Sequence, residues 1–262
     1  MAQHPIFRIE TFETFLEADR PRSDKTRDAL LAYHIEAGHL LRITRGLYAS
    51  VPPGFTPATM PIDAYLLATY LASDAVIGYH GALQFHGKSA SIHHQVQYLT
   101  LSVRRPFRFR ENEFTPVKVP RPVRGKKRST FGIEEFRHAG GAVRVTTLER
   151  TMVDVLARPD LGGGWEEVWQ SLRSIDFLYL DQVVHYTLML DNATVAARVG
   201  FFLEQHRDAL MVEDRHLRRL KRHAPRQPCY LERRRTKPAR LVKNWNLLVP
   251  LALLDRDWEE PA

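Results

Sequence analysis

The sequence predicts an α+β fold in two parts, and three observations carry that prediction. The first fifty residues read as helix, break, helix and a short basic hairpin. A proline-rich stretch, "VPPGFTPATMP", follows at Val51–Pro61. Beyond it, strand-like runs gather between residues 95 and 146, and helical patterns dominate afterwards. Such segregation marks α+β rather than alternating α/β proteins.

The elements can be taken in order. "ETFETFLE", Glu10–Glu17, brings Phe12, Phe15 and Leu16 to one side of a helix at spacings of three and four. Arg20-Pro21-Arg22 breaks that helix. Ser23 suits the N-cap of the next one, with Asp24 in the first turn where a carboxylate favours the helix dipole. From there to Ala37 a face centred on Leu30 gathers Thr26, Tyr33 and Ala37, and Gly38 is the expected left-handed stop. Leu40-Leu41 and Leu47-Tyr48 supply the arms of a hairpin, with Arg45-Gly46 at its turn.

That order predicts a winged helix-turn-helix over residues 1–52. The hairpin is its wing, aiming Arg42, Thr44 and Arg45 at phosphates or a minor groove, because guanidinium forks match phosphate oxygens. Recognition helices touch bases with their N-terminal residues. Here those are Arg22, Ser23, Lys25, Thr26 and Arg27, unless Thr26 turns inward. Asp28 and Ala32 lie opposite Leu30, and a carboxylate facing DNA is repelled unless it accepts from a cytosine amine. The helix tip and the wing are therefore expected to carry the contact. The alternative is a winged fold that mediates protein contacts, with solvated bases.

Four prolines and a glycine in Val51–Pro61 oppose both helix and strand, so residues 53–61 are predicted as a linker and 62–262 as a second, larger domain. Pro61–Ala72 reads as a helix with proline near its start. "AVIGYHGALQFHG" holds a short helix ending at Gly87. "QVQYLTLSV", "FTPVKVP", "TFGIEEFRH" and "AVRVT" read as strands of a small, largely antiparallel sheet. Thr146-x-x-Glu149 has the form of a capping box, with Leu148, Met152 and Val155 as the buried stripe behind it. Further helices are predicted at Trp165–Leu172, Leu180–Leu190, Thr194–Leu210 and Asp214–His223, before a strand-like end, "NWNLLVPLALL".

Composition bounds the function. With 262 residues, 44% apolar and 10% aromatic, the chain can bury a substantial core, which opposes disorder. One cysteine, Cys229, excludes an intramolecular disulfide framework and a cysteine-rich zinc site, and it fits a reducing cytoplasm. No apolar run approaches ~18 residues, so no membrane partner is expected. The first twenty residues carry acids where a secretory signal would be apolar, and a cytoplasmic location is the expectation.

The formal charge of +8 favours an anionic partner. Up to Gly54, seven bases match seven acids. Between residues 104 and 128 ten bases face only Glu111 and Glu113, and residues 215–243 are also rich in bases. Arg124, Lys126, Lys127 and Arg128 form a candidate secondary basic surface. Three readings stay open for these runs: they extend a DNA footprint, dock an acidic protein, or solubilise the chain.

Catalytic and metal-binding patterns are poorly represented. His80, His86, His93 and His94 fall close together, but without His-x-x-x-His spacing or a joining cysteine, so no metal is expected. "LGGGWEEVW" lacks the Gly-Lys-Ser/Thr ending of a phosphate loop, "RGKKRST" lacks the glycines before it, and nothing positions a nucleophile. No cofactor and no enzymatic activity are expected.

Several of these segments carry a family resemblance. "LLRITRGLYAS" resembles the wing of AbiEi-type antitoxins, "VIGYHGALQFHG" their second-domain helix, and "VTTLERTMVDVL" their threonine–arginine–aspartate helix start. "ATVAARVGFFLE" and "NWNLLVP" are similar to their C-terminal elements, in the same order, so the resemblance spans nearly the whole chain. It implies an antitoxin of a phage-defence toxin–antitoxin system. The winged helix would bind operator inverted repeats in double-stranded DNA and repress its own operon. The larger domain would counter a nucleotidyltransferase-like toxin. Arg42, Arg45, Gly46 and Tyr48 match the family wing, and Thr147, Arg150, Thr151 and Asp154 match the helix-start motif. Gly46 would allow the tight turn and Tyr48 would pack inward. Arg150 and Asp154 can pair across one helical turn, a contact worth a few tenths of a kcal/mol, which favours a structural role over an antitoxin active site. The rival from another class is a stand-alone winged-helix regulator whose second domain senses a ligand or oligomerises. A third reading is a scaffold protein.

Overall fold

The computed structural model describes residues 5–17, 23–232 and 238–255. The described chain opens on β1 (Ile6–Arg8), which runs directly into α1 (Ile9–Glu17). α2 (Asp24–Glu36) is capped as expected: Ser23 is extended and its hydroxyl accepts from the Thr26 amide at 3.3 Å. Gly38, at φ +73°, turns the chain into β2 (Leu40–Thr44), and Gly46, at φ +75°, closes the hairpin onto β3 (Leu47–Ser50). These strands pair antiparallel in the order β1-β3-β2, so β3 is central.

Phe7, Phe12, Leu31, Leu40 and Tyr48 make the core beneath these elements, with the Phe7 ring stacked near Phe12 and Tyr48. The buried face of α2 differs from the sequence expectation. Leu31 is buried and Leu30 and Ile35 are partly covered, whereas Thr26 and Ala37 are exposed and Tyr33 is 61% exposed. Two adjacent leucines let the helical period centre on either, and the Phe12–Tyr48 surface selects Leu31.

α3 (Ala64–Leu71) begins at Asp63, whose carboxylate accepts from the Leu66 amide at 2.7 Å. β4 (Val76–Ile77), α4 (Tyr79–Phe85), β5 (Gln95–Thr100), β6 (Phe107–Phe109), β7 (Asn112–Lys118), α5 (Lys126–Ser129), β8 (Ile133–His138) and β9 (Gly141–Thr146) follow. Six of the described strands form one sheet in the order β6-β7-β5-β4-β9-β8. β4–β5 and β6–β7 are antiparallel, and β4 pairs parallel with β9 through Ile77 and Val145.

From there the chain is mainly helical: α6 (Leu148–Ala157), α7 (Trp165–Arg173), α8 (Leu180–Met189), α9 (Ala193–Gln205) and α10 (Asp214–Lys221). α9 ends five residues before the expected Leu210, because the chain coils into turns that bring the Val212 amide onto the Arg207 carbonyl at 2.8 Å. β10 (Cys229–Tyr230), β11 (Ala239–Val242) and β12 (Leu247–Pro250) form a small sheet around a central β12, and α11 (Leu251–Asp255) ends the described chain. The fold is mixed α+β. Among the described residues no helix is long and apolar enough to cross a membrane.

By packing, Met1–Ile77, His94–Pro116 and Glu135–Val145 form one unit, and Gly78–His93, Val117–Glu134 and Thr146–Ala262 form another. The proline-rich segment thus lies inside the first unit rather than between the two. It has no regular structure, but Arg110 donates to the carbonyls of Pro57 (2.8 Å) and Met60 (2.5 Å), and Met60 is buried. Clustered prolines oppose helix and strand; they do not oppose packing. In the same unit α3 lies against β1, β4 and β5. Asp74, just past α3, accepts from the Thr100 hydroxyl and the Leu101 amide, each at 2.6 Å. In the second unit α6 packs against α4, α7, α8 and α9. There the Trp245 indole donates to Glu204 at 2.7 Å, and its ring lies flush against Gly200.

Two tests follow from this packing. A Cβ on Gly200 would stand 2.2 Å from the Trp245 ring, so Gly200→Ala should lower stability by about 1–3 kcal/mol in denaturant unfolding. An unchanged midpoint would mean that the indole has room to move. Burial works to raise the Asp74 pKa, but the two hydrogen bonds and the Arg144 charge outweigh it and hold the carboxyl below its ordinary value. Its contribution to stability is therefore complete above the unfolded value near 3.9 and is lost as pH falls through the lower folded value. Asp74→Asn should flatten that acid limb in unfolding titrations, and parallel profiles for the two proteins would disprove the assignment.

Candidate functional site

In β2, Leu40 and Ile43 are buried while Arg42 and Thr44 are exposed, and the β2–β3 register slips between Arg42 and Thr44. A bulge of this kind re-aims side chains locally, and here it turns residues 42 and 44 outward around an inward Ile43. On β3, Leu47, Tyr48 and Ala49 are all buried, so the hairpin is fastened by its second arm. Arg45 is exposed at the turn. Neither Arg42 nor Arg45 forms an ion pair or side-chain hydrogen bond among the described residues.

The start of α2 is more committed. The Ser23 and Thr26 hydroxyls lie 3.0 Å apart, and Ser23 also caps the helix. Arg27 is half-buried and paired with Glu13 and Asp28. Lys25 is exposed and has no ion-pair partner among the described residues. Arg22 lies outside the described residues. The exposed positions of α2 include Lys25, Asp28, Ala29, Ala32, Tyr33 and Glu36, so its outward side also carries the carboxylate beside Ala32 that would oppose a duplex there. Helical spacing places Tyr33 beside Leu30 on the expected inner face, whereas it is 61% exposed. The paired leucines at 30 and 31 were the signal that another face was available.

The threonine–arginine–aspartate motif is a buried junction. The N-cap of α6 is Thr147, accepting from the Arg150 amide at 3.4 Å, not Thr146 as the capping-box pattern suggests. Thr146 closes β9, and its hydroxyl meets that of Thr151 at 2.7 Å, while the Glu149 carboxylate accepts from the Tyr179 amide at 3.1 Å. Arg150, 1% exposed, donates to the Phe131 carbonyl at 2.7 Å and to Asp154 at 3.4 Å, and stacks over Tyr186 at 5.1 Å. The Tyr186 hydroxyl donates to the other Asp154 oxygen at 2.8 Å. Burial disfavours the Arg150 charge, but the Asp154 carboxylate outweighs it and holds the pKa above its ordinary value. Burial, with Asp154 beside it, pushes the Tyr186 hydroxyl well up. Gly132 is required here: its φ is +61°, and a Cβ would come within 2.8 Å of the Arg150 Cβ. The pair across one helical turn is thus fully buried, with both side chains 1% exposed.

The two basic runs differ in kind. No acidic residue occurs between Phe114 and Ile133. Arg121, Arg124 and Arg128 are exposed, and among the described residues Arg124 and Arg128 donate to the carbonyls of Val119 (2.9 Å) and Pro122 (3.5 Å). Lys126 and Lys127 begin α5. On α10, by contrast, Arg215 pairs with Glu213 and Asp181, Arg218 with Asp214, and Arg219 with Asp181.

The clustered histidines serve a loop. His80 is buried, bonds Glu167 at 3.1 Å and stacks on His93 at 4.0 Å, and Glu167 also accepts from the Ser91 amide at 3.0 Å. Burial lowers the His80 pKa, and the Glu167 hydrogen bond offsets that only in part. His86 meets the Thr146 carbonyl at 2.8 Å. Among the described residues no group of three or more His, Cys, Asp or Glu is placed to hold a metal ion. The first unit also encloses a cavity of ≈ 530 Å³ lined by His34, His39, Leu40, Phe55 and Met60.

Removing the Asp154 carboxylate would leave Arg150 buried without its counter-ion. Asp154→Ala should therefore cost about 3–5 kcal/mol in urea unfolding. A loss below about 1 kcal/mol, as for an exposed pair, would show that the junction does not depend on it.

No protein-family model matches the sequence, and no curated protein matches it. Among solved structures, the chain is similar to the crystal structure of the RV2827C protein from Mycobacterium tuberculosis, with a TM-score of 0.60 and 16% sequence identity, over 97% of this chain and 90% of that one. At this identity the likeness is one of fold.

Proposed function

We propose that this protein is a cytoplasmic antitoxin and autorepressor, a binding protein rather than an enzyme. In this reading β1, α1, α2, β2 and β3 form a winged helix-turn-helix that grips operator inverted repeats in duplex DNA. The observation that carries it is the pair of unpaired guanidiniums, Arg42 and Arg45, held outward around Thr44 while Ile43, Leu47 and Tyr48 fasten the hairpin from within. Lys25 at the tip of α2 adds a cation, while the exposed Asp28 one turn on keeps the contact to the tip and the hairpin. The bases Arg124, Lys126, Lys127 and Arg128 form a secondary polyanion-binding surface. The antitoxin half of the reading, neutralisation of a co-encoded nucleotidyltransferase-like toxin by the remainder of the chain, rests on the AbiEi resemblance of the sequence motifs.

A stand-alone regulator is the second reading, and the ≈ 530 Å³ cavity beside His34 and His39 favours it. An adjacent nucleotidyltransferase-like gene supports the first reading, and an isolated gene supports the second.

Each neutralised phosphate contributes about 0.9 to the log–log salt slope of duplex binding. Arg42→Gln with Arg45→Gln should weaken binding to the upstream region and make the slope shallower by about 1.8. Stability should stay within about 0.5 kcal/mol, because exposed, unpaired charges contribute little to a fold. Unaltered affinity and slope would remove the wing from the interface. Co-expression of the full chain with the neighbouring gene product, from an unrelated promoter, tests the other half. Growth should be restored by the wild type and by the wing variant alike, and failure of both soluble proteins to restore it would refute the antitoxin role.

A further inference from the structure

We infer that the loop Leu101–Pro106 is a second phosphate-contacting arm, rooted beside the wing, an inference that rests on the duplex-binding reading above. The loop joins β5 to β6 and carries Arg104 and Arg105, both exposed. Neither makes an ion pair or hydrogen bond among the described residues, in contrast to the carboxylate-paired arginines of α10. Leu101 and Val103 are 54% and 84% exposed, so the whole segment stands clear of the core.

Its placement is fixed from both ends. Asp74 clamps the Thr100 hydroxyl and the Leu101 amide, and the Thr100 hydroxyl in turn accepts from the Ser102 amide at 3.1 Å. At the other end Phe107 pairs with Phe114 in the β6–β7 ladder. A loop held in this way loses little further freedom on binding.

Its neighbourhood is the wing. Gly46, in the hairpin turn, accepts from the Ile9 amide at 3.0 Å, and Leu47 pairs with Arg8. The Arg8 guanidinium donates to the carbonyl of Tyr70 in the last turn of α3. Asp74, which roots the loop, follows the same end of α3 three residues after Leu71. The hairpin, through β1 and the Arg8 side chain, and the loop, through Asp74, are thus both tied to the C-terminal end of α3 within one packed unit. Arg42 and Arg45 on one and Arg104 and Arg105 on the other make four unpaired guanidiniums. A run of phosphate oxygens presents acceptors at regular intervals, and separated guanidinium forks fit it better than they fit a single small anion.

The test uses the full chain, a fluorescent duplex from its upstream region, and an unrelated duplex of equal length, titrated across a salt series. Arg104→Gln with Arg105→Gln should make the slope shallower by about 1.8. The loss should be equal on both duplexes, because phosphate contacts carry no sequence information. Arg104→Lys with Arg105→Lys should restore the slope. If the wing variant flattens the slope and the loop glutamine variant keeps the wild-type slope, the loop is not an arm, although the duplex reading stands. If the wild type itself shows no salt-dependent duplex binding, that reading fails and the arm fails with it. If the loop glutamine variant keeps its duplex slope but no longer restores growth beside the toxin, the loop docks protein, and the inference is overturned.

Discussion

A permanent positive charge sits inside the helical unit at Arg150, and the elements around it are arranged to accommodate that charge. Guanidinium cannot discharge itself by losing a proton at any physiological pH. Burial therefore demands an anion, acceptors and a polarisable face, which Asp154, the carbonyl of Phe131 and the ring of Tyr186 supply. Those groups come from α6, from the turn before β8 and from α8, so one side chain sets the register of three segments distant in the sequence. Gly132 is the corollary, since the turn must pass against the Arg150 stem in a left-handed conformation. A buried ion pair adds little net stability over an apolar replacement, yet removal of one partner is expensive.

The +8 total conceals three populations of base. Arg150 and Arg198 are buried, the latter donating to the carbonyls of Ala157 and Leu231. Arg27, Arg215, Arg218 and Arg219 are paired with carboxylates. Arg42, Arg45, Arg104 and Arg105 are exposed and have no ion-pair partner among the described residues. The last group can exchange condensed counter-ions for its own charge on meeting a polyanion, whereas a paired arginine must first give up its carboxylate. The arginines of α10 that face Asp181, Glu213 and Asp214 are for that reason weaker candidates for an anionic partner than two arginines on a hairpin.

Local signals were legible in the sequence. Ser23, Gly38 and Gly46 each act through their own backbone neighbourhood, and they placed the cap, the stop and the turn correctly. The outward Arg42, Thr44 and Arg45 could be read because Ile43 lies between them. What depended on distant partners could not be read. β1 is three residues long and is a strand only because β3 pairs with it. Cys229–Tyr230 is a strand only against β12. Thr146 and Thr147 offer the same hydroxyl, and the end of β9 decides which of them caps α6. Arg219 and Asp181 are thirty-eight residues apart in sequence, so nothing near Arg219 announces that its charge is taken.

The proline-rich segment carries the largest consequence of this difference between local and distant constraint. A flexible linker would let a DNA-binding module sample orientations, and binding would then carry the entropy of fixing it. Here the segment is tied to Arg110, β1 lies on α3, and Arg8 reaches the end of that helix. The hairpin, α3 and the strands of the first unit are consequently held as one body. On the proposed duplex-binding reading, a duplex that met the hairpin would meet the rest of that surface in a fixed geometry, and Arg104 and Arg105 would add contacts without a further ordering cost. Under that reading, rigid attachment would turn isolated weak phosphate contacts into a footprint of defined length.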